Sequence, residues 1–158
     1  MKPDLEGLAL RANPDAVCIT AATGELLHWS PGAESTFGYR AAEAIGQSLR
    51  RLLVPENEHD AYRRIVADAL RGERVVYESA CRRKDGSLIR TAGTCTAVRD
   101  AHASEYLLFA QKDVTALRVE QQASALAHDY GELLEAMPDA IVLVNPTGHI
   151  VSANAQAE

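Results

Sequence analysis

"MPDAIVLVNPTGHI" occupies residues 137–150 of a chain of 158. It has the texture of an opening: a helix end, a Pro-Asp pair, a β-branched apolar run and a Thr-Gly turn. A shift of 124 positions (138 less 14) lays Pro138, Asp139 and Ala140 on Pro14, Asp15 and Ala16. The same shift lays Thr147-Gly148 on Thr23-Gly24 and Ala157-Glu158 on Ala33-Glu34. Between these identities apolar meets apolar, with Ile141 on Val17, Leu143 on Ile19 and Ile150 on Leu26. No gap is needed. The spacing predicts a tandem repeat of domain-sized period whose second copy is cut short, and a protein that continues past residue 158. The segment after Met137 can make one hairpin, and a lone hairpin is marginal in water.

The complete copy lies upstream. "AVCITA" (16–21) and "ELLHWS" (25–30) read as strands joined by the Thr23-Gly24 turn. Ser30 is a candidate N-cap and Pro31 a first helical residue for a short helix ending at Gly38. Short helices come next over 40–46 and 48–53, then a longer one over 58–72. In the last, Tyr62, Ile65, Val66, Ala69 and Leu70 recur at three and four, which is one buried face. The pattern then turns to period two over 74–83, 87–98 and 105–112, three antiparallel strands. Asp85-Gly86 between the first two predicts a type I′ turn. Two strands, a block of helices and three strands together predict an α+β fold: a five-stranded antiparallel sheet with short helices on one face. From Ala116, the residues Val119, Ala123, Leu126, Tyr130, Leu133 and Met137 alternate by three and four, the seam of a coiled coil. A long C-terminal linker helix is therefore expected over 116–136.

Composition bounds the function. Net charge is −6, 47% of residues are hydrophobic and 24% charged, values of an ordinary folded domain. An acidic chain offers phosphate backbones little; the densest basic stretch, "CRRKDGSLIR" (81–90), reads as a solvated hairpin edge guarded by charge. No nucleic-acid partner is expected. No apolar run reaches the ~18 residues of a membrane span, and the N-terminus lacks a signal peptide's apolar stretch. Cys18, Cys81 and Cys95 are odd in number and without metal-ligand spacing, which fits a reducing cytoplasm and no metal site.

Taken in order, "NPDAVCIT", "GELLHWSPGAESTFGY", "EAIGQSLRRLLVPE", "CRRKDGSLIR" and "KDVT" resemble the PAS sensor domains over about residues 9–116. A truncated second PAS start resembles the same family over 134–158. Many members carry Asn after the second strand; this copy has Ser30, whereas the truncated copy has Asn154. The resulting partition is an N-terminal segment (1–8), a PAS domain (9–115), a signalling helix (116–136) and the second start (137–158). The resemblance implies five strands around a pocket and a sensory role. Output passes through an Asp-x-Thr junction, here Asp113 and Thr115, into the exit helix. Plain N-capping is the alternative role for that pair.

For the pocket the candidates are Trp29, Phe37, Tyr62, Thr91, Gly93 and Cys95. Small residues over 91–97 would leave room between sheet and helices, unless Phe37, Tyr62 and Leu70 fill it. The flavin-photosensing branch places a cysteine where this chain has Leu49, so that photochemistry is excluded. Trp29 keeps a redox flavin in view. Haem needs a His late in the long helix, and 68–78 has none; His28 and His59 are poor substitutes. The cofactor is left unknown, with none or a small metabolite preferred. Catalysis is not expected, because no nucleophile set or phosphate loop appears. His128-Asp129 shares only its first two residues with a phosphoacceptor motif. The functional reading is a signal-input and dimerisation module of a bacterial-type multidomain protein. It would pair as a homodimer through Val119, Leu126, Tyr130 and Leu133, or through the N-terminal segment. A ligand or redox state would pass to an effector in the same chain, with a histidine kinase first among candidates. A flavin or haem sensor and a ligand-free spacer are the alternatives.

Overall fold

A computed structural model describes residues 4–157. The chain forms two units, with the break between Thr115 and Ala116. In the first, helix α1 (Leu5–Ala12) precedes strands β1 (Ala16–Ala21) and β2 (Leu26–Trp29). Helices α2 (Pro31–Phe37), α3 (Ala41–Ala44), α4 (Leu49–Leu53) and α5 (His59–Leu70) come next, the last preceded by a 3-10 turn at Glu56–Glu58. Strands β3 (Val75–Arg82), β4 (Leu88–Arg99) and β5 (Glu105–Asp113) complete an antiparallel sheet of order β2-β1-β5-β4-β3. The sheet centre is therefore β5, and the small-residue strand β4 lies one place toward the β3 edge.

Local chemistry explains the short helices. The Ser30 hydroxyl accepts from the Ala33 N–H, Pro31 opens α2, and Gly38 closes it at φ +81°. Ser30 also accepts from the Val17 N–H at 3.0 Å, so one buried hydroxyl caps a helix and pins a strand.

The hairpins share one turn. In the β3–β4 connection the Arg83 N–H donates to Ser87 O and the Gly86 N–H to Arg83 O, with Gly86 at φ +87°. Asp85 does not have positive φ, so this is a type I turn followed by a left-handed residue, not the type I′ turn expected from Asp-Gly. The β1–β2 turn repeats the pattern around Gly24, and the β4–β5 turn puts Ala103 in the left-handed place at φ 63°. Asp100 stabilises that strained position, its carboxylate accepting from the His102 and Ser104 N–H groups.

The inner sheet face is a lattice of rows across strands. Trp29, Cys18, Phe109, Cys95 and Val75 form one row; Ala16, Gln111, Gly93 and Tyr77 form the next. Thr91 and Ser79 continue beyond Asp113 in a third, and Ile89 meets Cys81 in a fourth. Helices α2, α4 and α5 cover this face with Phe37, Leu49, Leu53 and Ala69, all buried. Gly93 is dictated by backbone crowding, since a Cβ there would lie 2.3 Å from Ala110 O.

Helix α6 (Thr115–Ala136) starts at the last residue of the first unit, and the second unit continues it to a hairpin of β6 (Val142–Val144) and β7 (Ile150–Ala153). The Asn145–Gly148 turn has the same bonds as those above. Asn154 is buried; its carbonyl accepts from the Ile141 N–H, and its amide donates to Leu134 O and Asp139 O.

Candidate functional site

A small cavity lies between α4, α5 and the inner face of β3 and β5. Leu49, Leu53, Val54, Ile65 and Phe109 give it apolar walls; Glu58, Tyr62, Tyr77, Ser79, Cys81 and Gln111 bring polar atoms. Its volume is about 20 Å³, room for about one water. Of the six residues expected from sequence, Tyr62 lines it. Trp29 and Phe37 pack on each other at 5.7 Å, and Trp29 Nε1 donates to Tyr39 O. Cys95 and Thr91 are fully buried in the inner face, and Gly93 sits where two strands crowd. Leu49 stands in the cavity wall. His59, a poor haem ligand by sequence, is half-buried with Nε2 3.1 Å from Val54 O.

Gln111 and Cys81 are the residues that sequence reading missed. The Cys81 Sγ lies 3.5 Å from Thr91 Oγ1 and 3.7 Å from the Gln111 Oε1, and Thr91 Oγ1 donates to Ser79 O. Gln111 is 3% exposed, a costly place for an amide without partners. The only signal in the sequence was its period-two phase with Phe109 on β5.

A flavin or haem does not fit this cavity as its side chains stand. Ring cofactors need pockets of roughly 300 Å³ or more, and Phe109, Tyr62 and Tyr77 occupy the space. Among the described residues no group of His, Cys, Asp and Glu could hold a metal ion.

The thiols are inert by burial. Desolvation pushes the Cys95 thiol up to about 12 and raises Cys18 and Cys81. Cys18 and Cys95 flank Phe109 from opposite strands, so no disulfide can join them. This burial makes stability depend on pH. Unfolded thiols lose their protons near pH ~8.5, whereas the folded ones keep them. Above that pH the unfolded state binds fewer protons, so stability falls as pH rises. Thermal scans should show a flat midpoint up to about pH 8.5 and a decline toward pH ~11; a flat profile throughout would contradict buried neutral thiols.

At the end of β5 the junction residues form a latch. Asp113 Oδ1 accepts from the Thr115 N–H at 2.9 Å and from its hydroxyl at 2.6 Å. The same Thr115 hydroxyl oxygen accepts from the Arg90 N–H at 2.9 Å, and Val114 N–H donates to Arg90 O. Asp113 Oδ2 pairs with the Arg83 guanidinium at 2.7 Å, and Arg83 Nε donates to Thr36 O at the end of α2. Lys84 pairs with Glu43 on α3. The basic run 81–90 is therefore not simply a solvated edge: Arg83 and Lys84 tie the hairpin to the helices and to the chain exit.

Beyond the latch, α6 carries an open apolar stripe. Val119, Leu126, Tyr130 and Leu133 are 57–64% exposed, a large amount for such side chains. Among the described residues no helix is long and apolar enough to cross a membrane.

Rows of inward residues under short capped helices, with a latch where the last strand leaves, define an α+β domain with a small inner cavity. A model of the PAS fold matches residues 8–114, and the chain belongs to that family, whose domains serve as signal-input modules. A second family model, described as a PAS domain, matches residues 129–158. Among solved structures, the PAS domain of a protein from Colwellia psychrerythraea aligns with TM-score 0.65 at 23% identity, over 71% of this chain and 96% of that one. An RNA-binding light-oxygen-voltage receptor aligns at 0.64 and 25% identity, over 80% of this chain and 37% of that one. A domain of a sensory box sensor histidine kinase/response regulator from Geobacter sulfurreducens aligns at 0.58 and 17% identity, over 70% and 92%. No curated protein matches the sequence.

Proposed function

We propose that residues 9–115 sense a small ligand in the cavity beneath α4 and α5. The latch at Asp113 and Thr115 then passes the change to α6, paired with its twin in a homodimer. One observation carries the reading. Gln111, which contacts Cys81 at the cavity, and Asp113, which holds α6, are two residues apart on the same face of β5. A shift of β5 at the cavity is thereby a shift at the helix start. The effector belongs to the same protein; the sensor histidine kinase among the structural neighbours favours that class. The chain itself performs no catalysis in this scheme.

The segment 137–158 is, on this reading, the start of a second PAS copy. Its hairpin repeats the first at the 124-residue shift. Cys18 pairs with Trp29 as Val142 does with Ala153, and the register slips after Ile19 as after Leu143. Ser30 exchanges two bonds with Val17 as Asn154 does with Ile141.

Pairing through α6 is supported by its exposed stripe, since burying such side chains contributes about 25 cal/mol per Å². Light scattering at micromolar concentration should give twice the 17.1 kDa chain mass. Leu126→Lys with Leu133→Lys should halve it, because both twins then carry two charges in the seam, which like-charge repulsion and desolvation oppose. A monomeric wild type, or a dimer that survives both changes, removes α6 as the transmitting pair.

A further inference from the structure

The cavity has an outer neighbour. A surface cleft of about 470 Å³ lies between the β1–β2 turn, α4 and α5, lined by Thr23, Gly24, Ser48, Arg50, Tyr62 and Arg63, with apolar residues of α5 behind. Tyr62 is the residue that lines both spaces. Its ring stacks on Phe109 at 6.2 Å with an interplanar angle of 12°, closing the inner space. Its hydroxyl reaches outward: a Cβ built on Gly24 would lie 3.8 Å from it. Burial raises the Tyr62 hydroxyl pKa, and the Arg50 guanidinium, which lines the same cleft, opposes the rise.

Arg50 is half-buried and makes no ion pair among the described residues, whereas Arg63 pairs with Asp60. A guanidinium held in a cleft without an acid favours a carboxylate ligand. The acid of the inner cavity is Glu58, which repels a second carboxylate there. An anionic ligand is thereby oriented with its ring inward and its charge outward.

We propose that this cleft is the mouth of the sensor pocket and takes an aryl carboxylate, whose ring replaces Tyr62 on Phe109 and whose carboxylate meets Arg50. The inference rests on the ligand-sensing reading above and names the ligand class. Tyr62 acts as a placeholder: its phenol ring holds the ligand's site, and its hydroxyl marks where the ligand's charged end lies. Swinging it aside joins the two spaces and frees the face of Phe109, the neighbour of Cys18 and Cys95 across the sheet.

The test is calorimetric titration of this chain with phenylacetate and with its neutral counterpart, 2-phenylethanol. Phenylacetate should bind at least about tenfold tighter than the alcohol, the effect of one charge-assisted contact. Arg50→Gln, a half-exposed change that leaves the core intact, should bring the two within about twofold of each other. Tyr62→Ala should tighten both, because no ring has to be moved. Equal binding of the two probes, binding of neither, or a preference that survives Arg50→Gln overturns the proposal. Failure here leaves the α6 dimer and the latch to stand or fall on their own measurements, which use no ligand.

Discussion

Phe109→Ala is expected to lower the unfolding free energy by about 3–5 kcal/mol, read as a shift of the urea midpoint with unchanged slope. The size comes from position. Phe109 is 1% exposed on the central strand, with Cys18 opposite on one side and Cys95 on the other. Tyr62 stacks over it from α5. Removing the ring deletes the stack that joins β5 to Tyr62 of the longest domain helix, and the small neighbours Cys18 and Cys95 cannot close the gap. A typical domain holds only about 5–15 kcal/mol in total, so the variant should approach the folding threshold. A loss below about 1 kcal/mol would mean that α5 does not depend on this row for its seat.

Asp113→Ala is the second large effect, and its readout is mechanical as well as energetic. One carboxylate serves three donors: the Arg83 guanidinium, the Thr115 N–H and the Thr115 hydroxyl. Hydrogen bonds to charged groups contribute about 1.5–3 kcal/mol each when buried. Asp113 and Arg83 side chains are 30% and 36% exposed, so solvent screening reduces this. A total loss of about 2–3 kcal/mol is expected, smaller than at Phe109. Amide exchange should localise the damage. The Val114 and Thr115 amides and the first turn of α6 should exchange faster, while β1 and the middle of β4 keep their protection. Asp113→Asn retains an acceptor for Thr115 and should fall between wild type and Ala. Uniform acceleration across the sheet would instead mark Asp113 as a general stabiliser.

The sequence disclosed the elements well, because their signals are local. Ser30-Pro31 and Gly38 bracket a helix chemically, period two continues to the ends of β3, β4 and β5, and the Thr-Gly turns fix the hairpin corners. Relations between distant residues were less legible. Arg83 looked like one of several surface charges because its carboxylate lies 30 residues later, at Asp113. Gln111 looked like an ordinary strand residue until β5 proved to be the sheet centre. Gly93 suggested an open pocket, but its missing Cβ makes way for a carbonyl of β5. Asp85-Gly86 named a turn but not its type, because a glycine at positive φ serves both the I′ turn and the type I turn with bulge. The cavity's size depended on which way Tyr62, Tyr77 and Phe109 turn, a matter of rotamers and not of residue identity.

The central claim is that the β5 end, through Asp113 and Thr115, sets the arrangement of a pair of α6 helices. Its most direct test is the distance between twin spin labels at position 124, on exposed α6, after Ser124→Cys; the three native thiols are buried and should stay unlabelled. In the wild type the labels should give one narrow distance across the dimer. With Asp113→Ala that distance should shift by about 1–2 Å or broaden, as expected for helices released from a fixed start. An identical distance in both proteins, or none in the wild type, would contradict the account.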